Sequence, residues 1–331
     1  MSRATAPAAA IVLGLALVSA SCSTPATAPG TSNSAGAPSD PTDISKLGGV
    51  PVKPVDPSKV PALVEQLKSG DESRRSKAAA DLGNVYPPSP DAVPALVAAL
   101  SDSSARVRAT AANSLAVIGV PARSAAATLV GSLGDPDAEV RFGAANALGM
   151  VGDANVRVVN ALVVALGDGE ANVRRSAATA LGNLGPAAKG GIPALIERLE
   201  DGDRDVRAAA AGALGDMRDE AGVAVPALAS ALTESDERVR RAAALALGNV
   251  MPPHPAAVAA LAGALNDEVA GVRSSAAQAL RSLGPGARPA APALRAALGD
   301  TDDYVRTSSI QALAAVDTGG AETVRALAGM L

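Results

Sequence analysis

A Val-Arg pair recurs every 33 residues, at Val107-Arg108, Val140-Arg141, Val173-Arg174, Val206-Arg207, Val239-Arg240, Val272-Arg273 and Val305-Arg306. Arg74-Arg75 holds the same place in a divergent first copy, and no insertion interrupts the series. A fixed period of this length means one supersecondary unit stacked on copies of itself. The 331 residues are therefore expected to form one elongated array and not two or three globular domains.

Each unit holds two helical patterns. The first, helix A, is represented by Ile192-Pro193-Ala194-Leu195-Ile196-Glu197-Arg198-Leu199, whose apolar residues share one face. Its two leucines recur without change from Leu63 and Leu67 to Leu327 and Leu331. Proline stands near its start at Pro61, Pro94, Pro193, Pro226 and Pro292, where a missing N–H costs nothing. Helix B carries Val, two small residues and Leu on one face, as in Val173, Ala177, Ala178 and Leu181. The link between A and B is acidic. Asp102, Asp135, Asp168, Asp201, Glu234, Asp267 and Asp300 precede the Val by five residues, and Asp137, Glu170, Asp203, Asp236 and Asp302 follow as expected N-caps. Gly149, Gly182, Gly215 and Gly248, with Gly119, Gly152, Gly185 and Gly284 further on, are expected at the C-terminus of helix B.

Composition narrows the core and the partners. Tyr86, Phe142 and Tyr304 are the only aromatic residues, so the interior must be filled by close approach of helices bearing Ala, Val and Leu. A formal net charge of -4 argues against nucleic acid, whose phosphates need clustered Lys and Arg. The recurring arginines could form an anion-binding ladder. Their place beside the buried face, five to six residues after a recurring Asp, instead predicts an Asp–Arg ladder tying adjacent helix pairs together.

The succession Asp, Val-Arg, Ala-Ala, Ala-Leu-Gly, Gly, then Ala-Leu and Leu resembles the HEAT repeat, in the short variety named after phycobilisome lyases. The resemblance covers residues 60–331 as eight full repeats and a final single helix. It implies an all-α fold, a right-handed α-solenoid of stacked antiparallel helix pairs with a strict 33-residue repeat. Ankyrin repeats share the period, but their Thr-Pro-Leu-His signature is absent.

The N-terminus predicts a destination. Residues 1–21 read as a signal peptide, with Arg3 ahead of a short apolar run from Ala8 to Val18. Cys22, the only cysteine, follows at once, and the arrangement resembles a bacterial lipoprotein signal whose cysteine is acylated after cleavage. Ser19 departs from the aliphatic residue usual in that motif, and ordinary secretory cleavage after Ala20 is the alternative. Residues 22–59 hold the anchor cysteine and a tether rich in Pro, Ser, Thr and Ala. The expected location is the cell envelope, after export across the cytoplasmic membrane, with a membrane contact through the lipid on Cys22.

Catalytic chemistry finds little to work with. Deoxyhypusine hydroxylases use such repeats to present His-Glu pairs to two irons, which a chain with His254 as its only histidine cannot assemble. Cys22 precedes the tether, and no nucleophile–base constellation is present. His254 reads as a loop residue in Met251-Pro252-Pro253-His254-Pro255, which matches Tyr86-Pro87-Pro88-Ser89-Pro90 five periods earlier and suggests an internal duplication. No cofactor or metal is expected. Resemblance to bilin lyases leaves open an enzyme or enzyme accessory acting on a tetrapyrrole or other small ligand.

The outward face of helix B is the candidate binding surface, and the resemblance implies that it lines the concave side. Offsets of two, six and ten from the Val vary while the core does not. The candidates are Asn113, Phe142, Asn146, Met150, Arg175, Thr179, Asn183, Arg241, Leu245, Asn249, Gln278 and Gln311. Amides, two arginines and exposed apolar groups suit a protein or peptide partner, an extended segment or a helix. A plain soluble surface on a passive envelope spacer is the other reading.

Overall fold

The computed structural model describes residues 54–89 and 91–328, whose described parts fall in two units, 54–318 and 319–328. In the first unit, helices alternate between the A and B roles. They are α1 (Val60–Gln66) and α2 (Glu72–Gly83), α3 (Ala92–Ala99) and α4 (Ala105–Ile118), α5 (Ala126–Ser132) and α6 (Ala138–Val151), and α7 (Val156–Ala165) and α8 (Ala171–Leu184). The series continues with α9 (Ile192–Arg198) and α10 (Arg204–Asp216), α11 (Val225–Ala231) and α12 (Glu237–Asn249), α13 (Pro255–Ala264) and α14 (Ala270–Leu283), and α15 (Ala291–Ala296) and α16 (Asp303–Val316). In the second unit, Ala321–Ala328 forms α17, whose Val324 N–H donates to the Gly320 carbonyl. Among the described residues, no helix is long and apolar enough to cross a membrane. Cys22, the signal peptide and most of the tether lie outside the described residues.

Both apolar faces meet in one core. The first leucine of each A helix is buried, from Leu63 and Leu96 to Leu261 and Leu294. So are Val107, Val140, Val173, Val206, Val239, Val272 and Val305, and the B-helix leucines Leu115, Leu148, Leu181, Leu214, Leu247 and Leu280. Each such Leu contributes about 1.5–3 kcal/mol by leaving water. The B helices also stack directly on one another. Here the structure corrects the reading of Gly149, Gly182, Gly215 and Gly248, which lie inside or at the last turn of their helices. A Cβ at Gly149, Gly215 or Gly248 would stand 2.7, 2.7 and 2.6 Å from the Cα of Ala180, Ala246 and Ala279 in the next B helix. These glycines are there because another backbone passes close by.

Capping follows the acids, with one correction. Asp71, Asp137, Asp203, Asp236 and Asp302 each accept an amide hydrogen bond in the first turn of their B helix. Glu170, expected to do the same, makes no side-chain cap bond to α8. Its carboxylate stands one methylene further from the backbone than that of Asp, too far for the tight ring that an N-cap closes. His254, expected to be a plain loop residue, caps α13, its Nδ1 accepting from the Ala256 N–H at 3.1 Å.

Connections from B to the next A helix are not uniform. Runs of 3-10 helix fill Val120–Ala125, Gly185–Gly191, Arg218–Ala224 and Gly284–Ala290. Gly185 opens its run at φ 62°, and Arg218, at the equivalent place, takes φ 52° despite its Cβ. The Tyr86 and Met251 loops differ from these, and both contain cis X-Pro bonds, Tyr86-Pro87 and Met251-Pro252. At the start of the unit, Val55 forms a parallel bridge with Val85, exchanging bonds of 2.9 and 3.1 Å with the Asn84 carbonyl and the Tyr86 N–H.

Candidate functional site

The recurring arginines are committed to the scaffold. Arg108 donates from Nε and Nη2 to both oxygens of Asp135 at 2.7 and 2.9 Å, while its Nη1 donates to the Asp102 carbonyl at 2.8 Å. The same bidentate pairing joins Arg75 to Asp102, Arg141 to Asp168, Arg174 to Asp201, Arg240 to Asp267 and Arg273 to Asp300. Each carboxylate partner thus belongs to the next repeat, and the residue six before the Arg supplies its carbonyl: an Asp for Arg108, Arg141, Arg174 and Arg273, Ser69 for Arg75 and Glu234 for Arg240. Each Asp in addition accepts the amide two residues on, as Asp135 does from Asp137 at 2.9 Å. A rail of charge-assisted bonds runs along the stack.

The rail shifts its acids. The arginine bonds hold Asp135, Asp168 and Asp300 below the usual carboxylate range, against the opposing effect of burial. At Asp102, Asp201 and Asp267 burial is the largest single influence and pushes upward. The arginine and amide bonds together outweigh it, and these carboxyls too are held low.

One rung is different. Arg207 reaches Glu234 through a single 3.7 Å contact, and its buried Nε has no hydrogen-bond partner. Glu replaces Asp at this position alone among the seven linking acids. The longer side chain does not reproduce the bidentate geometry.

On the opposite side of the B helices, the predicted row is largely solvent-facing. Asn113, Met150, Thr179, Asn183, Arg241, Leu245, Asn249, Gln278 and Gln311 are exposed, whereas Phe142, Asn146 and Arg175 are half-buried. Neighbouring helices bring some of these together. The Asn183 amide contacts Met150 Sδ at 3.8 Å, and Gln311 accepts a hydrogen bond from Arg281. Asn113 lies beside Gly143, and the Arg241 side chain lies along Gly271. Thr179 turns its hydroxyl back to the Arg175 carbonyl at 3.0 Å, leaving its methyl outward. Apolar area is contributed by Val117, Met150 and Leu245, which are 68, 46 and 42% exposed.

Three residues of the row escape a reading that looks for side-chain chemistry. Ala208, Gly212 and Asp216 of α10 occupy the same offsets as Arg175, Thr179 and Asn183 on α8 and Arg241, Leu245 and Asn249 on α12. The equal offsets were the signal for them. Asp216 has a carboxyl pushed above its ordinary range by desolvation, partly offset by Arg218, and its Oδ2 lies 3.0 Å from where a Cβ on Gly182 would stand.

Elsewhere, hollows of about 170 and 290 Å³ open among the A helices and connections. One is lined by Arg123, Asp153, Asn155 and Arg157, the other by Pro88, Val93, Pro94 and Pro121. Among the described residues, no three His, Cys, Asp or Glu side chains converge as metal ligands.

Comparison with known proteins gives this geometry a family. The model of HEAT repeats matches residues 60–133, 126–190 and 192–281, and that of the PBS lyase HEAT-like repeat matches residues 272–300. No curated protein matches the chain. Among solved structures, an engineered protein from a structural genomics programme is 27% identical, with 82% of this chain and 81% of that chain covered at a TM-score of 0.56. The complex of CpcE and CpcF of phycocyanin lyase from Nostoc sp. is 24% identical over 85% of this chain and 100% of that chain, at a TM-score of 0.46. The HEAT-repeat matches take in more than half of the chain and fall on the helices whose Val, Ala and Leu build the common core. With stacked A and B helices and these matches in agreement, the chain belongs to the HEAT repeat family.

Proposed function

We propose that the chain is a non-catalytic scaffold that binds a protein partner along the outward face of its B helices. The observation that carries this is the division of labour within each B helix. One side is fixed by core and rail, while the other presents amides, arginines and apolar groups that change from helix to helix. A repeated backbone with a varied face is how a solenoid recognises an extended or helical segment. Export to the cell envelope and acylation of Cys22 complete the reading, and both rest on the sequence of residues 1–22.

Site-specific photo-crosslinking in cells tests it, with the probe at Thr179 on the B-helix face and at Glu197 on α9 as control. A defined polypeptide adduct from Thr179 alone is the expected result. Equal adducts from both positions, or none from either, would remove the reason for preferring that face.

A second reading is favoured by the PBS lyase HEAT-like match at residues 272–300, namely a lyase or lyase accessory handling a tetrapyrrole. It predicts a visible chromophore retained by protein purified from its host.

A further inference from the structure

Along the outward row, α10 stands back from its neighbours. Where α8 and α12 carry Arg175 and Arg241, α10 has Ala208, and at the level of Leu245 it has Gly212. A Cβ added to Gly212 would meet nothing within 4 Å, so the space above it is open. A Cβ on Gly215, one turn on in the same helix, would stand 2.7 Å from the Cα of Ala246, so close backbone approach explains that glycine and not Gly212. A glycine in a helix interior is destabilising relative to alanine. The result is a recess one helix wide with longer side chains on both sides.

Its rim carries Arg175 on α8 and Arg241 on α12, whose side chain lies toward Gly271 of α14, while Asp205, one turn before Ala208 on α10, is already paired with Arg238 at 2.8 Å. Arg175 and Arg241 take part in no ion pair among the described residues, in contrast to the rail arginines on the other side of the same helices. Leu245, 42% exposed, gives the recess an apolar wall. Asp216 is the one carboxyl on α10's share of the row, and it sits two turns from Ala208, pressed toward Gly182. B helices stacked about 8–10 Å apart place the two arginine-bearing helices about 16–20 Å from one another. A segment crossing them in extended form advances about 3.3 Å per residue and spans that distance in about five or six residues. With a chain net charge of -4, the two cations form a local feature suited to individual carboxylates and not to a polyanion.

We propose that this recess seats an extended acidic segment of a partner polypeptide, which places one bulky apolar side chain over Gly212 and carboxylates on Arg175 and Arg241. It rests on the reading of the B-helix face as a protein-binding surface and names the chemistry of the segment bound there.

The probe is a fluorescein-labelled peptide of about twelve residues with a central Trp and Glu about two residues to either side, so that all three side chains leave the same face of an extended strand, titrated into the full chain and followed by anisotropy. Saturable binding is expected, with a loss of at least about tenfold when Lys replaces Glu in the peptide or when Arg175→Glu and Arg241→Glu are combined in the protein. Gly212→Leu is expected to weaken binding by a similar factor. Its melting temperature should equal or exceed that of the parent, because the new side chain meets open space; this shows that a loss of binding is not a loss of fold. No saturation below about 1 mM peptide, equal binding of the Lys peptide, or undiminished binding by Gly212→Leu would each overturn the proposal. A cellular adduct at Thr179 that persists unchanged in the Gly212→Leu and charge-reversed proteins would leave the scaffold reading standing and overturn this one.

Discussion

The junctions on the two sides of α10 share their apolar parts and differ in one rung. Toward α8, Gly182 lies against Ala213, and Arg174 grips both oxygens of Asp201. Toward α12, Gly215 lies against Ala246, but Arg207 finds Glu234 at 3.7 Å and keeps a buried Nε without a partner. One additional methylene separates a satisfied ion pair from an unsatisfied one. Apolar complementarity sets the spacing of these helices, and whether the rail continues is decided separately.

Acid should have the largest effect on that contrast. Asp102, Asp135, Asp168, Asp201, Asp267 and Asp300 have folded-state values below the unfolded one, so their stabilisation is present above an unfolded value of about 3.9, declines below it and is lost as pH falls through the lower folded-state values. Thermal melts should therefore be nearly flat from pH 7 to 5 and drop steeply below about pH 4. Unchanged melting temperature at pH 3 would mean that the rail adds nothing.

Single substitutions separate the two junctions. Asp201→Ala removes a buried carboxylate and strands the half-buried Arg174 guanidinium, and is expected to cost about 3 kcal/mol, whereas Glu234→Ala should cost under about 1 kcal/mol, both by urea unfolding. Equal costs would end the distinction. The glycines of α10 offer a second pair: Gly215→Ala forces a Cβ onto the Ala246 backbone and should cost about 1–3 kcal/mol, while Gly212→Ala should stabilise by about 0.5–1 kcal/mol. Glu234→Asp, which shortens the acid to the length used in the other rungs, is expected to gain about 1 kcal/mol and to bring hydrogen exchange of the α11 and α12 amides closer to that of α9 and α10.

The sequence carried the fold because its constraints repeat: Val173, Ala177, Ala178 and Leu181 state once what five other units state again without change. The rail was legible as a pairing of types. Its register was not, because the bidentate Asp lies one repeat downstream, a relation that only stacking creates. Gly149 and Gly182 were placed at helix ends because a glycine near a boundary usually terminates, whereas close backbone approach leaves no trace in one strand of sequence. The outward face was the least legible part. Its residues do not repeat, and Gly212 offers no chemistry to notice until its neighbours show how far they project beyond it.

Arg207 and Glu234 also bear on how the first unit comes apart. A stack of repeats behaves as a one-dimensional chain of elements, each coupled to its neighbours, and its cooperativity is limited by the weakest coupling. With apolar contacts alike along the row, the interrupted rung defines two domino-like blocks, one ending at α10 and the other beginning at α11. Near the melting transition these blocks can change state out of step, so that a half-folded species with a boundary at one known place accompanies the two end states.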